Sequence, residues 1–227
     1  MKLMKSIAVV ALAGSALTSV ANAATVVFTD RAAFQSNLSR SFTDTYESNL
    51  GYRPGFSITD NATFSAIVGQ TRYQTTGFQN LNILFGPFGN DQSTNYCAGC
   101  NGSFTLFFDA TTFGTANGVG GVGLDVTTNL SYDAFVTFGD NSTQVFTLAR
   151  NVQSFFGLTS DRLIKSIAFG PGGNGISTSG STAIDNLTIG VAGGVPEPAT
   201  WAMMIIGFGL VGASARRHRQ NIRTVTA

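Results

Sequence analysis

The chain has 227 residues, of which 11% are charged and 11% aromatic, with 19 Phe and 27 Gly. So few charges beside so many aromatic rings exclude an intrinsically disordered chain. Abundant Gly, Ser, Thr and Asn between apolar stretches predict short strands and turns rather than long helices. Between residues 24 and 195, seven basic residues stand against eleven acidic ones, a net charge of −4. A mildly acidic span without a basic patch excludes nucleic acid as a partner.

Residues 1–23 read as a secretory signal peptide. Lys2 and Lys5 form the basic start, residues 7–13 the apolar run, and Ala21-Asn22-Ala23 a small-x-small cleavage site. Signal peptidase is the expected partner, cutting between Ala23 and Ala24.

Residues 24–190 read as one β domain. A first strand is predicted over 25–29, and Asp30 caps a short helix over 31–38. Further strands are predicted over 42–46, 62–67, 81–85, 103–108, 121–126, 134–138, 143–148, 164–169 and 183–189, separated by turn residues. Phe104, Leu106 and Phe108 share one face, as do Val122, Leu124 and Val126. Gly139-Asp140-Asn141-Ser142 reads as a hairpin turn. The expected fold is all-β, an antiparallel β-sandwich with a short N-terminal helix; a closed barrel is the alternative.

The chemistry available to this domain is narrow. The single histidine, His218, lies in the basic tail, so residues 24–190 hold no Ser-His or Cys-His pair and no His-ligated metal. Residues 175–179 miss the nucleophile-elbow pattern at its last Gly. Gly118-Val119-Gly120-Gly121-Val122-Gly123 fits GxGxxG, but a strand follows rather than a helix, so a flexible turn is expected. Cys97 and Cys100 form a CxxC, which in an exported chain predicts a small disulfide. Asp109, Asp125, Asp133 and Asp140 are candidates for paired-carboxylate glycoside hydrolysis, although no spacing marks a pair. Strict alternation over 183–189 puts Asp185 on one face with Leu187 and Ile189. A carboxylate in a core needs a partner. A structural calcium joining Asp185 and Glu47 is one expectation, a hydrogen bond to a nearby loop the other. Tyr46, Tyr52, Tyr73, Tyr96 and Tyr132 are candidate sugar-stacking rings, with core or edge positions as the alternative.

The C-terminal part reads as a linker over 191–195, a sorting segment over 196–219 and a short tail over 220–227. Its apolar run, 201–215, would rise about 22 Å as a helix, short of the roughly 30 Å hydrocarbon core. Trp201 would lie at one interface and the arginines at the cytoplasmic one. Pro196, Glu197, Pro198, Trp201, Ala202, Met203 and Met204, with Arg216 and Arg217 closing the apolar run, closely resemble the PEP-CTERM sorting signal in its PEPxxWAMM form. The resemblance implies recognition by an exosortase, cleavage at or near the PEP motif, and a Gram-negative host, often one that makes exopolysaccharide. Residues 220–227 extend past the basic cluster where many members of that family stop. Residues 121–190 also resemble lectin-like or jelly-roll β-sandwiches found in front of such tails, which implies a fold and transfers no binding residues.

The sequence therefore reads as an exported protein of the cell envelope or extracellular matrix, held transiently in the inner membrane. Its β-sandwich would be structural or adhesive rather than enzymatic and without a cofactor, with exopolysaccharide as candidate ligand. A glycan-active hydrolase and a purely structural matrix subunit are the alternatives.

Overall fold

A computed structural model describes residues 24–53, 57–76, 81–88, 93–100, 102–149, 153–171, 182–193, 203–213 and 216. In chain order its elements are β1 (Thr25–Phe28), α1 (Arg31–Ser36), β2 (Leu38–Asp44), a 3-10 turn (Ser48–Leu50), β3 (Ser57–Thr59), α2 (Asn61–Val68) and β4 (Arg72–Thr75). Then follow β5 (Asn82–Phe88), β6 (Ser93–Ala98), β7 (Phe104–Phe107), β8 (Gly114–Thr115), β9 (Gly118–Thr128) and β10 (Tyr132–Phe138). β11 (Thr143–Thr147), β12 (Gln153–Pro171) and β13 (Thr182–Ala192) complete the β domain, and a last helix, α3, covers 203–213.

All strand pairings among the described residues are antiparallel, and one hydrogen-bonded sheet curls into the two layers of a β-sandwich. β12 belongs to both layers. Its first half lies between β1 and β9, with Leu158 opposite Val27 and Val122. Its second half lies between β10 and β7, with Ile167 opposite Val136 and Leu106. Leu163, at φ 60°, marks the change of layer. One layer runs β1, β12, β9, β13, with β2 and β6 sharing the far side of β13 and β5 and β3 beyond β6. The other runs β11, β10, β12, β7, β4.

Alternation explains the core. Tyr132, Ala134, Val136 and Phe138 of β10 are buried, while the residues between them are half-exposed. Phe104 and Leu106 of β7 join them in one cluster with Val122, Leu124, Val126, Ile184, Leu187 and Ile189 from the opposite layer. Aromatic contacts cross between layers, with Tyr96 against Phe104 at 5.1 Å and Phe146 against Phe156 at 5.9 Å.

Helices α1 and α2 pack on the sandwich. α1 starts as expected, with Asp30 Oδ1 accepting the Ala33 N–H at 2.7 Å, and ends at Ser36. Its Phe34 is fully buried against Phe28 and Phe155. The ring lies on β9 where Gly123 leaves room: a Cβ there would come within 2.6 Å of it. The glycine run 118–123 is thus strand, not the expected turn, and its openness seats a helix rather than a phosphate.

The expected strand over 62–67 is the helix α2. Asp60 caps it by accepting from Thr63 N and Oγ1, and Gly69 ends it at φ 72°. Phe64 then points inward to Tyr52, Tyr73 and Tyr96. α2 also finishes the open edge of β4. Tyr73 N–H donates to Ser65 Oγ at 2.9 Å, and Thr75 N–H donates to Asn61 Oδ1 at 3.1 Å. Helix side chains thereby occupy backbone donors that would otherwise template another strand.

Candidate functional site

Three places were expected to carry chemistry: the carboxylates near β13, the tyrosines, and the C-terminal segment. At the first, β13 changes neighbours from β6 to β2. A bulge between Asp185 and Thr188, with Asn186 at φ 50°, marks the change. The extra residue shifts the phase, so Ile184 faces the core together with Leu187 and Ile189. Strict alternation had predicted that Asp185 shares their face; the bulge takes it off that face. Asp185 points with Ala183 to the other side of the sheet and is nonetheless fully buried.

Protein donors meet the carboxylates there. Asp185 accepts from Ser93 Oγ and from the Asn186 N–H at 2.6 Å. Glu47 Oε1 accepts the Thr94 N–H at 2.8 Å. Glu47 and Asp185 thus bind consecutive residues of β6. Asp125 accepts from Asn186 Nδ2 at 2.9 Å and pairs with Arg31 at 3.0 Å, and Arg31 also donates to Asn186 O and Thr188 Oγ1. The oxygen chemistry suits calcium. Among the described residues, no group of three or more His, Cys, Asp or Glu side chains is placed to hold a metal ion.

The tyrosines form the interior instead of a binding face. All five are buried, which corrects their reading as sugar-stacking rings. Tyr46, Tyr52, Tyr73 and Tyr96 pack around Phe64 and enclose Asp44. Asp44 accepts from Tyr52 OH at 2.6 Å, Tyr46 N at 3.1 Å and Tyr73 OH at 3.3 Å. Burial raises its pKa above the ordinary value, and those three donors only partly offset the effect. Loss of solvent likewise pushes the Tyr46, Tyr52, Tyr73 and Tyr96 phenols upward.

Asp109 and Asp140 are engaged separately. Asp109 pairs with Arg72 at 2.9 Å. Asp140 caps its hairpin turn by accepting from Ser142 N and Oγ, which lowers its pKa. Cys97 and Cys100 are disulfide-bonded at the end of β6, beside Ile83 and Ala183. Residues 175–179 lie outside the described residues.

Sequence reasoning missed a groove of about 530 Å³ between α2 and β4. Ala62, Ala66 and Ala110 give it apolar walls, and Asn61, Arg72 and Gln74 supply polar groups. The Arg72 guanidinium lies 3.8 Å over the Phe107 ring. The groove was not readable because it needs 61–68 to be helical; the Asp60 and Gly69 caps were the available signal.

In the C-terminal segment, α3 exposes its apolar side chains, Met203 at 69% and Phe208 at 72% among them. No helix among the described residues is long and apolar enough to cross a membrane. Pro196, Glu197, Pro198, Trp201, Arg217 and His218 lie outside the described residues, as does the signal segment through Ala23, while Arg216 and Ala24 fall within them.

Comparison with known proteins separates the two parts of the chain. No curated protein matches it. Among solved structures, a family 29 carbohydrate binding module is 15% identical with a TM-score of 0.33, covering 70% of this chain and 97% of that one. A CBM29-2 mutant, studied for ligand recognition by family 29 carbohydrate binding modules, is 12% identical with a TM-score of 0.35, covering 70% and 99%. Residues 194–220 match the PEP-CTERM protein-sorting motif. Two residues past the end of β13, then, this chain carries a PEP-CTERM sorting segment, and it is an exported protein.

Proposed function

We propose that this protein is a non-enzymatic β-sandwich delivered to the envelope or matrix of a Gram-negative cell, where it binds polysaccharide. Signal peptidase cuts between Ala23 and Ala24. Residues 201–215 hold the chain transiently in the inner membrane, with Arg216 and Arg217 on the cytoplasmic side. An exosortase then acts at or near Pro196-Glu197-Pro198. The observation that carries this reading is the position of the sorting motif, starting directly after the last strand of the sandwich. A folded domain followed at once by a processing signal is cargo.

Polysaccharide is assigned to the groove between α2 and β4. Its alanine walls suit the apolar face of a sugar ring, and Arg72, Gln74 and Asn61 suit the hydroxyls. Intact-mass measurement of the protein from the host's envelope and medium tests the delivery. A species running from Ala24 to about Pro196–Pro198 supports it, and an uncut tail in the membrane overturns it. Retention on a polysaccharide column without new reducing ends, weakened by Gln74→Ala, supports the ligand. New reducing ends would instead point to a hydrolase, and no retention to a purely structural subunit.

A further inference from the structure

The corner where β1 meets β12 is arranged for a charge that the precursor does not have. β1 pairs with β12 in the register Thr25 opposite Ser160, which puts Ala24 opposite Asp161. The Ala24 nitrogen lies 3.4 Å from Asp161 Oδ2, and the Asp161 N–H donates to Ala24 O at 3.3 Å. Both side-chain ion pairs among the described residues lie elsewhere, at Arg31–Asp125 and Arg72–Asp109. Among the described residues, therefore, no cationic side chain pairs with Asp161. The cation beside it in sequence, Arg162, is committed to Ser142 Oγ at 2.9 Å and Thr25 Oγ1 at 3.1 Å, and lies 3.7 Å over the Phe138 ring.

We propose that removal of the signal peptide creates the missing cation, and that the new Ala24 α-ammonium pairs with Asp161 to fasten β1 onto the sheet. Hydrolysis of the Ala23–Ala24 amide adds one water. The carbonyl carbon leaves with the signal peptide as a carboxylate, and the nitrogen stays on Ala24 as an amine that takes up a proton near neutral pH. An amide N–H with one weak contact to Asp161 becomes an ammonium with three donors. The step rests on the export reading above, because that reading supplies the cleavage.

β1 has particular need of such a fastener. It has four residues, pairs among the described residues with β12 alone and leaves Val26 47% and Val27 48% exposed. Apolar burial holds it chiefly through Phe28, whose ring meets Phe34 at 5.8 Å. If β1 frays, residues 157–160 of β12 become an open sheet edge. Uncleaved chains would carry a looser β1, and cleaved ones a fixed one.

The test is a two-by-two comparison on the chain from Ala24 to its own C-terminus in mild detergent. One axis adds a single Gly before Ala24, moving the ammonium away; the other is Asp161→Asn. The readout is amide hydrogen exchange of Val26, Val27 and Phe28. With Asp161 present, the extension should speed exchange by about two- to fivefold, as for an exposed ion pair, and the effect should fade near 1 M salt. In the Asp161→Asn background the extension should change nothing. Equal effects in both backgrounds, or none in either, overturn the pairing. N-terminal sequencing of the exported protein separates the premises: a start other than Ala24 overturns the cleavage assignment, while a start at Ala24 without coupling overturns only the role of Asp161.

Discussion

The fit of Phe34 over Gly123 makes a quantitative prediction about how α1 is held. Phe34 is fully buried, so Phe34→Ala should cost about 3–5 kcal/mol through lost transfer energy and a cavity. At roughly 2–4 °C per kcal/mol for a domain of this size, melting should fall by roughly 6–20 °C. Gly123→Ala should cost about 1–3 kcal/mol by overpacking, since its methyl would meet Phe34 at 2.6 Å and Phe155 at 2.7 Å. Phe155 is half-exposed and meets the methyl with the far end of its ring, so that contact can relax. In the double variant the methyl enters the space the ring has left. The expected cost is then close to that of Phe34→Ala alone, a coupling of about 1–3 kcal/mol. Urea titration of the four proteins, followed by circular dichroism, gives the cycle. A double variant whose cost equals the sum within about 0.5 kcal/mol would refute this account of the glycine run.

Three further outcomes are expected. Asp44 has a folded pKa above its ordinary 3.8, so the folded state holds its proton more tightly than the unfolded chain. Its contribution is fully present below that pH and is lost as pH rises through the folded pKa. Asp44→Asn should therefore gain on the parent across that window and hold a constant difference above it, which urea midpoints at a series of pH values would show; a pH-independent difference would contradict the burial of the charge. Ser65→Ala leaves the Tyr73 N–H without its acceptor and should cost about 1–3 kcal/mol in urea unfolding, with a loss below about 0.5 kcal/mol meaning that the helix does not serve the β4 edge. Because Glu47 and Asp185 both have protein donors, calorimetric melting in calcium and in chelator should coincide, and a rise of several degrees with calcium would restore the metal reading.

What the sequence disclosed followed from how local each signal is. The sorting tail is a linear motif and needs no fold to be read. β10 shows plain alternation because one of its faces is core along its whole length. β12 is legible only over 164–169, since its two halves serve different layers and the pattern breaks at Asp161-Arg162-Leu163. β6 is hidden because Ser93, Thr94 and Asn95 look like loop residues, although Asn95 is buried. The apolar content of 62–67 suits a strand as well as a helix, and the caps on either side decide between them. Asp185 is recognisable as a buried acid, but one bulged residue reverses its face, and a bulge leaves no periodic trace.

The place where the tail leaves the sandwich also has a mechanical meaning. β13 is flanked on both sides, by β9 along one edge and by β6 and then β2 along the other. The sorting segment begins two residues beyond it. Tension along the axis of β13 acts perpendicular to its ladder hydrogen bonds. Those bonds are strained together in shear, where an edge strand such as β11, held among the described residues on one side only, could be unzipped bond by bond. If the tail tethers the chain, as proposed above, a load on the sandwich would be taken up by this doubly flanked strand.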